Sequence, residues 1–208
     1  MTYETQRKLI CELGRRMWER GWVAANDGNL SRRLGEGLYL VTPAGVSKGF
    51  LTPDMLVVVD GEGRAVDAGG GLRPSSETIL HLECYRRRPD IAGVCHAHPP
   101  AATAFACARM GLEEPLVGEA ALSLGRVPCA PYARTGTAAL AEAAGPLLEE
   151  HDAVLLANHG AVTLGADLEN AYWRMETLEH TARICLNVRL LGGGVPLSPE
   201  QAAELEGG

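Results

Sequence analysis

Leu9, Ile10, Leu13 and Met17 recur at helical spacing through residues 3–20, with charged residues between them. This pattern predicts an amphipathic helix, and Gly21 closes it. Gly37 to Val41 and Leu56 to Asp60 read as short strands, and Gly61-Glu62-Gly63 as a turn. Residues 25–31 and 67–72 are polar or glycine-rich and read as loops. A helix is expected over 76–87, with Ser75 or Ser76 as its N-cap, Glu77 in its first turn and Pro89 as its stop. A mostly apolar strand runs from Ile91 to His98, followed by an alanine-rich helix over 100–109. Further on, Arg126 to Ala130 reads as a strand, Thr137 to Glu150 as a helix and Ala153 to Ala157 as a buried strand. A long helix runs from Leu168 to about Leu190. Residues 192–208, rich in glycine and proline and then acidic, read as a surface tail. The alternation of strand and helix is broken by no linker or repeat, so residues 1–208 read as one α/β domain.

The strand ending Cys95-His96-Ala97-His98 carries the first chemistry. Side chains alternate along a strand, so His96 and His98 share a face while Cys95 and Ala97 take the other. Two imidazoles on one face form half of a metal site, and imidazole suits zinc, copper, iron or nickel. His159 stands beside Gly160 at the end of the apolar run 153–157 and echoes His98, although alone it reads as a loop histidine.

Several polar stretches leave two readings open. The loop Asn26-Asp27-Gly28-Asn29 is a turn or an anion cradle. Lys48 is a solvated side chain or a phosphate partner. Ser75 and Ser76 cap a helix, but free N–H groups and hydroxyls at a helix start also bind phosphate. Glu119 is the single acid in the apolar run 116–124. It is a surface carboxylate or a group held with raised pKa for proton transfer. Trp18 and Trp22 are read as core or subunit-contact residues. His81, His151 and His180 lie on or beside predicted helices and receive no role.

Composition narrows the class. The 208 residues are 46% apolar and 22% charged, as expected of one folded domain. A net charge of −7 argues against a nucleic-acid partner. A bound phosphate must therefore be held by local donors. No apolar run approaches the roughly 18 residues of a membrane span, and the first residues do not read as a signal peptide. The six cysteines include no CxxC pair and read as reduced thiols of a cytoplasmic protein.

Six pieces in order bring these residues together: Gly28-Asn29-Leu30-Ser31, Thr42-Pro43-Ala44-Gly45, Pro74-Ser75-Ser76-Glu77, His96-Ala97-His98, Val127 to Thr137, and Asn158-His159-Gly160. Over nearly the whole chain this set resembles the class II aldolase/adducin superfamily, typified by L-fuculose-1-phosphate aldolase. The resemblance implies a three-layer α/β/α domain around a mostly antiparallel sheet, and a homotetramer with active sites at subunit interfaces. It implies metal ligation by His96, His98 and His159, with Glu77 as the metal-associated acid/base. It also implies a phosphate pocket of Asn29, Gly45, Ser75 and Ser76. The expected ion is Zn2+, with Mn2+ or Co2+ also accepted by such a set. The expected substrate is a small phosphorylated sugar. The leading expectation is cleavage of a ketose 1-phosphate to dihydroxyacetone phosphate and an aldehyde, through a metal-stabilised enediolate.

This chain departs from the family pattern in places. Ala44 replaces a hydroxyl residue, and Lys48 is a candidate to compensate. The family tyrosine near residues 112–118 has no counterpart, and no tyrosine follows Tyr172. Those tyrosines act on the aldehyde half, so aldolase chemistry with a different aldehyde partner is expected. Glu119 is expected to reach a neighbouring subunit's metal site as a second proton-transfer group. The alternatives are a sugar-phosphate 4-epimerase, a dehydratase or a metal-dependent decarboxylase of the same superfamily, or a non-enzymatic adducin-like scaffold.

Overall fold

Helix α1 (Glu4–Glu19) buries Ile10, Leu13 and Met17, and Gly21 ends the segment at a φ of 69°. The structure, a computed structural model, describes residues 3–206. The strands are β1 (Asn29–Gly35), β2 (Leu38–Val41), β3 (Val57–Val59), β4 (Ala65–Ala68), β5 (Gly93–Ala97), β6 (Cys129–Ala130), β7 (Ala153–Leu156) and β8 (Gly160–Gly165). They form one sheet in the order β4-β3-β2-β1-β5-β8-β7-β6. Every pairing is antiparallel except β6 with β7. The remaining helices are α2 (Thr78–Arg87), α3 (Pro100–Ala108), α4 (Gly118–Leu124), α5 (Ala138–Glu150), α6 (Leu168–Leu190) and α7 (Pro199–Glu206).

The alternation of side chains sorts the sheet into two faces. Leu30, Cys95, Ala97, Leu155 and Ala161 pack with α1, α3 and α6. Val94, Val154, Leu156, Val162 and Leu164 pack with α2 and α5 on the opposite face. The result is the expected α/β/α layering about a mostly antiparallel sheet. His96 shares the parity of Val94 and so faces α2. Asn29 pairs directly with His96 across β1 and β5, which places its side chain on that same face.

The structure corrects several local expectations. Residues 29–35, read in part as a loop, form β1, and 65–68 form the exposed edge strand β4. The helix expected from residue 76 begins at Thr78, with Glu77 at its N-cap and no side-chain cap; the Ser75 hydroxyl accepts the Glu77 N–H at 3.3 Å. The tail is more built than expected. Leu197 N–H donates to Pro115 O at 2.9 Å, and α7 follows. Among the described residues no helix is long and apolar enough to cross a membrane.

Candidate active site

Three backbone devices bring the histidines together. His96 is the fourth residue of β5, and His98 is the first residue beyond it. His98 N–H donates to Trp22 O at 2.9 Å, fixing the chain as it leaves the sheet. His159 sits in the tight β7–β8 connection, where Asn158 takes a φ of 57° and His159 N–H returns to Leu156 O at 3.0 Å. Gly160 follows because a Cβ there would lie 2.4 Å from Ala97 O and 2.6 Å from the His98 ring. Gly28 serves the same end. Its φ is 68°, and a Cβ would lie 2.9 Å from His96 O.

The three rings converge, with centroids 4.6 to 5.0 Å apart. One nitrogen from each lies within 4.8 Å of the others. The Nε2 atoms of His96 and His98 face each other at 3.1 Å. His96 Nδ1 donates to Ala161 O at 2.9 Å, leaving Nε2 for the cluster. Asp27 lies behind His98, with Oδ2 3.5 Å from Nδ1. A carboxylate behind a ligating imidazole is a common orienting device.

Glu77 completes the group. Its Oε2 is 3.2 Å from His96 Nε2, and its Oε1 is 3.2 Å from His159 Nε2. That second contact is out of line for a hydrogen bond, so Oε1 is buried without a hydrogen-bond partner, as is His159 Nδ1. Burial alone would raise the Glu77 pKa, but His96 and His159 outweigh it and hold the carboxyl well below its usual range. Burial acts downward on His96, yet Glu77 beside it carries its pKa upward overall. Burial and the charge of His96 push His98 and His159 down to about 4. The cluster therefore has one place for a positive charge, shared among nitrogen lone pairs and a carboxylate. Three imidazoles, a bare carboxylate oxygen and this electrostatic demand fit a divalent cation.

Asp27, Glu77, His98 and His159 form one wall of a cavity of about 290 Å³, and the fully buried His96 stands behind them. The other walls carry Asn29, Ala44, Gly45, Ser75, Ser76, Thr135 and Gly136. Asn29, Gly45, Ser75 and Ser76, the residues expected for a phosphate pocket, thus line the same cavity as Glu77, His98 and His159. Asn29 is already engaged: Nδ2 donates to Glu77 Oε2 at 2.8 Å, and Oδ1 faces His81 Nε2 at 2.5 Å.

Lys48 lies elsewhere than expected, and Glu119 lies outside its own chain's cavity, as a group meant for a neighbouring subunit's site would. Lys48 is neither solvated nor in the cavity wall. It is buried and donates to Asn26 O and Val46 O at 2.8 and 2.7 Å, tying together the two loops that flank the cavity. Glu119 is exposed in the first turn of α4 and does not line the cavity of its own chain. The sequence reading also passed over His81, whose ring touches the Asn29 that holds Glu77. Its signal was its place four residues after Glu77, one helical turn along the same face.

The family profile described as Class II Aldolase and Adducin N-terminal domain matches residues 8–186. The 3-oxo-tetronate 4-phosphate decarboxylase of Haemophilus influenzae is 37% identical, over 88% of this chain and 88% of its own. The L-fuculose phosphate aldolase of Methanocaldococcus jannaschii is 33% identical, over 86% of this chain and 95% of its own. The crystal structure of YgbL from Klebsiella pneumoniae superimposes with a TM-score of 0.90 at 31% identity, over 99% of both chains. The chain belongs to the class II aldolase and adducin family.

Proposed function

We propose that this protein is a metal-dependent lyase that decarboxylates a small 3-oxo acid carrying a terminal phosphate, of the 3-oxo-tetronate 4-phosphate kind. The observation that carries the reading is the convergence of His96, His98, His159 and Glu77, the last three of which line one cavity with Gly45, Ser75 and Ser76. The 37% identity to the Haemophilus influenzae decarboxylase supports the choice of leaving group.

A divalent cation held by the three histidines supplies Lewis-acid charge where negative charge develops on the substrate oxygens. Ser75, Ser76 and the Gly45 backbone N–H hold the phosphate, with Asn29 beside them, and that binding positions the reacting carbons. Glu77, held as a carboxylate, takes the proton of the C2 hydroxyl. The C1–C2 bond then breaks, its electron pair passes into the C2–C3 double bond of an enediolate, and CO2 leaves. Glu77 returns its proton to C2, and solvent protonates the C2 oxygen. The product is dihydroxyacetone phosphate.

Aldol cleavage of a ketose 1-phosphate passes through the same enediolate and is the second reading. It is favoured by the identity to the Methanocaldococcus jannaschii aldolase. The two differ in what must be handled on the electrophile. CO2 needs no acid or base of its own, which accords with the absence of a tyrosine from residues 112–118. The reading includes a homotetramer in which Glu119 acts on a neighbour's site as a second proton-transfer group. The exposed Trp18, Phe50, Leu122 and Trp173 are side chains that such an assembly can cover.

The test is a substrate panel with zinc-loaded and chelator-treated protein, following CO2 and dihydroxyacetone phosphate together. Equimolar, metal-dependent release of both from the 3-oxo acid is expected. Dihydroxyacetone phosphate from a ketose 1-phosphate, with no CO2 from the 3-oxo acid, overturns decarboxylation in favour of aldol cleavage. Light scattering on the same preparation is expected to give four times 22.1 kDa, and a monomer mass overturns the tetramer.

A further inference from the structure

Beneath the histidine cluster runs a chain of buried polar groups. Tyr85 OH lies 2.9 Å from Ser31 Oγ, which lies 2.6 Å from His81 Nδ1. His81 Nε2 meets Asn29 Oδ1, and Asn29 Nδ2 meets Glu77 Oε2. Each element puts its member there for a plain reason. Asn29 and Ser31 share the α2-facing side of β1, two residues apart. Glu77, His81 and Tyr85 recur every fourth residue along one face of α2.

The direction of every link is fixed from one end. Asn29 Nδ2 donates to Glu77 Oε2, which leaves the amide oxygen of Asn29 facing His81. His81 Nε2 must then carry the hydrogen, which leaves Nδ1 as an acceptor. The Ser31 hydroxyl donates to that Nδ1 and accepts from Tyr85. Burial pushes His81 down to about 3, so the ring is neutral, as the scheme requires. Tyr85 is itself held in place, stacked on Tyr39 at 4.8 Å with the Arg33 guanidinium over both rings.

The consequence falls on Glu77. Its Oε2 is held by Asn29, while its Oε1 is buried and bare. We propose that His81 is a positioning residue: the Tyr85–Ser31–His81 chain locks the amide of Asn29 in one orientation, and that amide anchors Oε2 of Glu77 and leaves Oε1 as its working oxygen. With His81 removed, Asn29 is free to turn its oxygen toward Glu77, where it would repel the carboxylate. The inference rests on the proposed role of Glu77, but its first test needs neither substrate nor turnover.

That test is the 15N spectrum of the His81 ring in metal-free and zinc-loaded wild-type protein. A neutral ring with hydrogen on Nε2 is expected in both. A ring with hydrogen on Nδ1, or an imidazolium, overturns the proposal. The second test compares His81→Leu with His81→Gln, whose amide offers an N–H to Asn29 and an oxygen to Ser31. His81→Leu is expected to lower kcat and zinc affinity by about 10–100-fold, the usual effect of losing a partner behind a metal site. KM should change little, and His81→Gln should recover most of the loss. Equal losses in both variants, or none in either, overturn it. If His81→Leu fails to fold, the ring spectrum and His81→Gln still decide. If wild-type protein turns over no substrate, the functional reading fails, while the spectrum and zinc affinity still judge the positioning role.

Discussion

A lysine ammonium is strongly hydrated, yet Lys48 is 1% exposed. Two carbonyls receive it, one from each loop beside the cavity. Burial pushes its pKa down to about 8, and Asp27 and Glu77 only partly oppose the shift. The sign follows by linkage. Between about 8 and the ordinary 10.5 the unfolded chain holds a proton that the folded chain has lost, so stability from this group rises with pH across that window. The rise amounts to at most ~3 kcal/mol. Cys84 and Cys95, pushed up to about 12 by burial, give the opposite slope above 9. Urea unfolding of wild type and Lys48→Met at pH 8 and pH 10 therefore reads the lysine as a difference. The variant should lack the upward contribution, and identical pH profiles would contradict it. At this scale, the histidine pair was legible because strand alternation fixes it, whereas Lys48 and His81 were not. Lys48 has no spacing partner, the helical spacing of His81 from Glu77 carries no chemistry by itself, and the burial of both depends on chain remote in sequence.

At the scale of elements, α3 starts two residues after His98, and its N-terminus is buried. Glu179 on α6 reaches it, accepting from Ala101 N–H at 3.0 Å and Ala102 N–H at 3.0 Å while Arg183 donates to its other oxygen at 2.7 Å. A carboxylate there satisfies donors that have no partner within the helix and suits its dipole. Glu179→Ala should cost ~1–3 kcal/mol, as expected when buried donors lose their acceptor. Glu179→Gln, which keeps one oxygen, should cost less. A loss in Glu179→Ala no larger than in Glu179→Gln would show that the cap contributes little. Elements with strong apolar periodicity, such as α1, were legible from the sequence. β1 was not, because the side of the strand that faces α2 carries Asn29 and Ser31 and so breaks the expected apolar alternation. β4 was missed for a different reason. It is an exposed edge strand beside glycines and has no buried face to announce it.

For the whole molecule, the strand order could not be read from periodicity, since β1 pairs with β5 across some sixty residues of chain. The resemblance supplied the layers, and the structure shows why they matter. One sheet face collects Asn29 of β1, Glu77 just before α2, His98 just beyond β5 and His159 of the β7–β8 turn into a single cavity. On the proposed reading, this cavity generates and protonates the enediolate of dihydroxyacetone phosphate, with Glu77 moving the proton. The most direct measurement is hydrogen exchange of dihydroxyacetone phosphate in D2O, followed by proton NMR. The account predicts that zinc-loaded wild type exchanges one hydrogen of the hydroxymethyl carbon. Glu77→Gln should be slower by roughly 100-fold or more, and chelated protein should be inactive. Exchange at equal rates in wild type and Glu77→Gln, or none by zinc-loaded wild type, would contradict it.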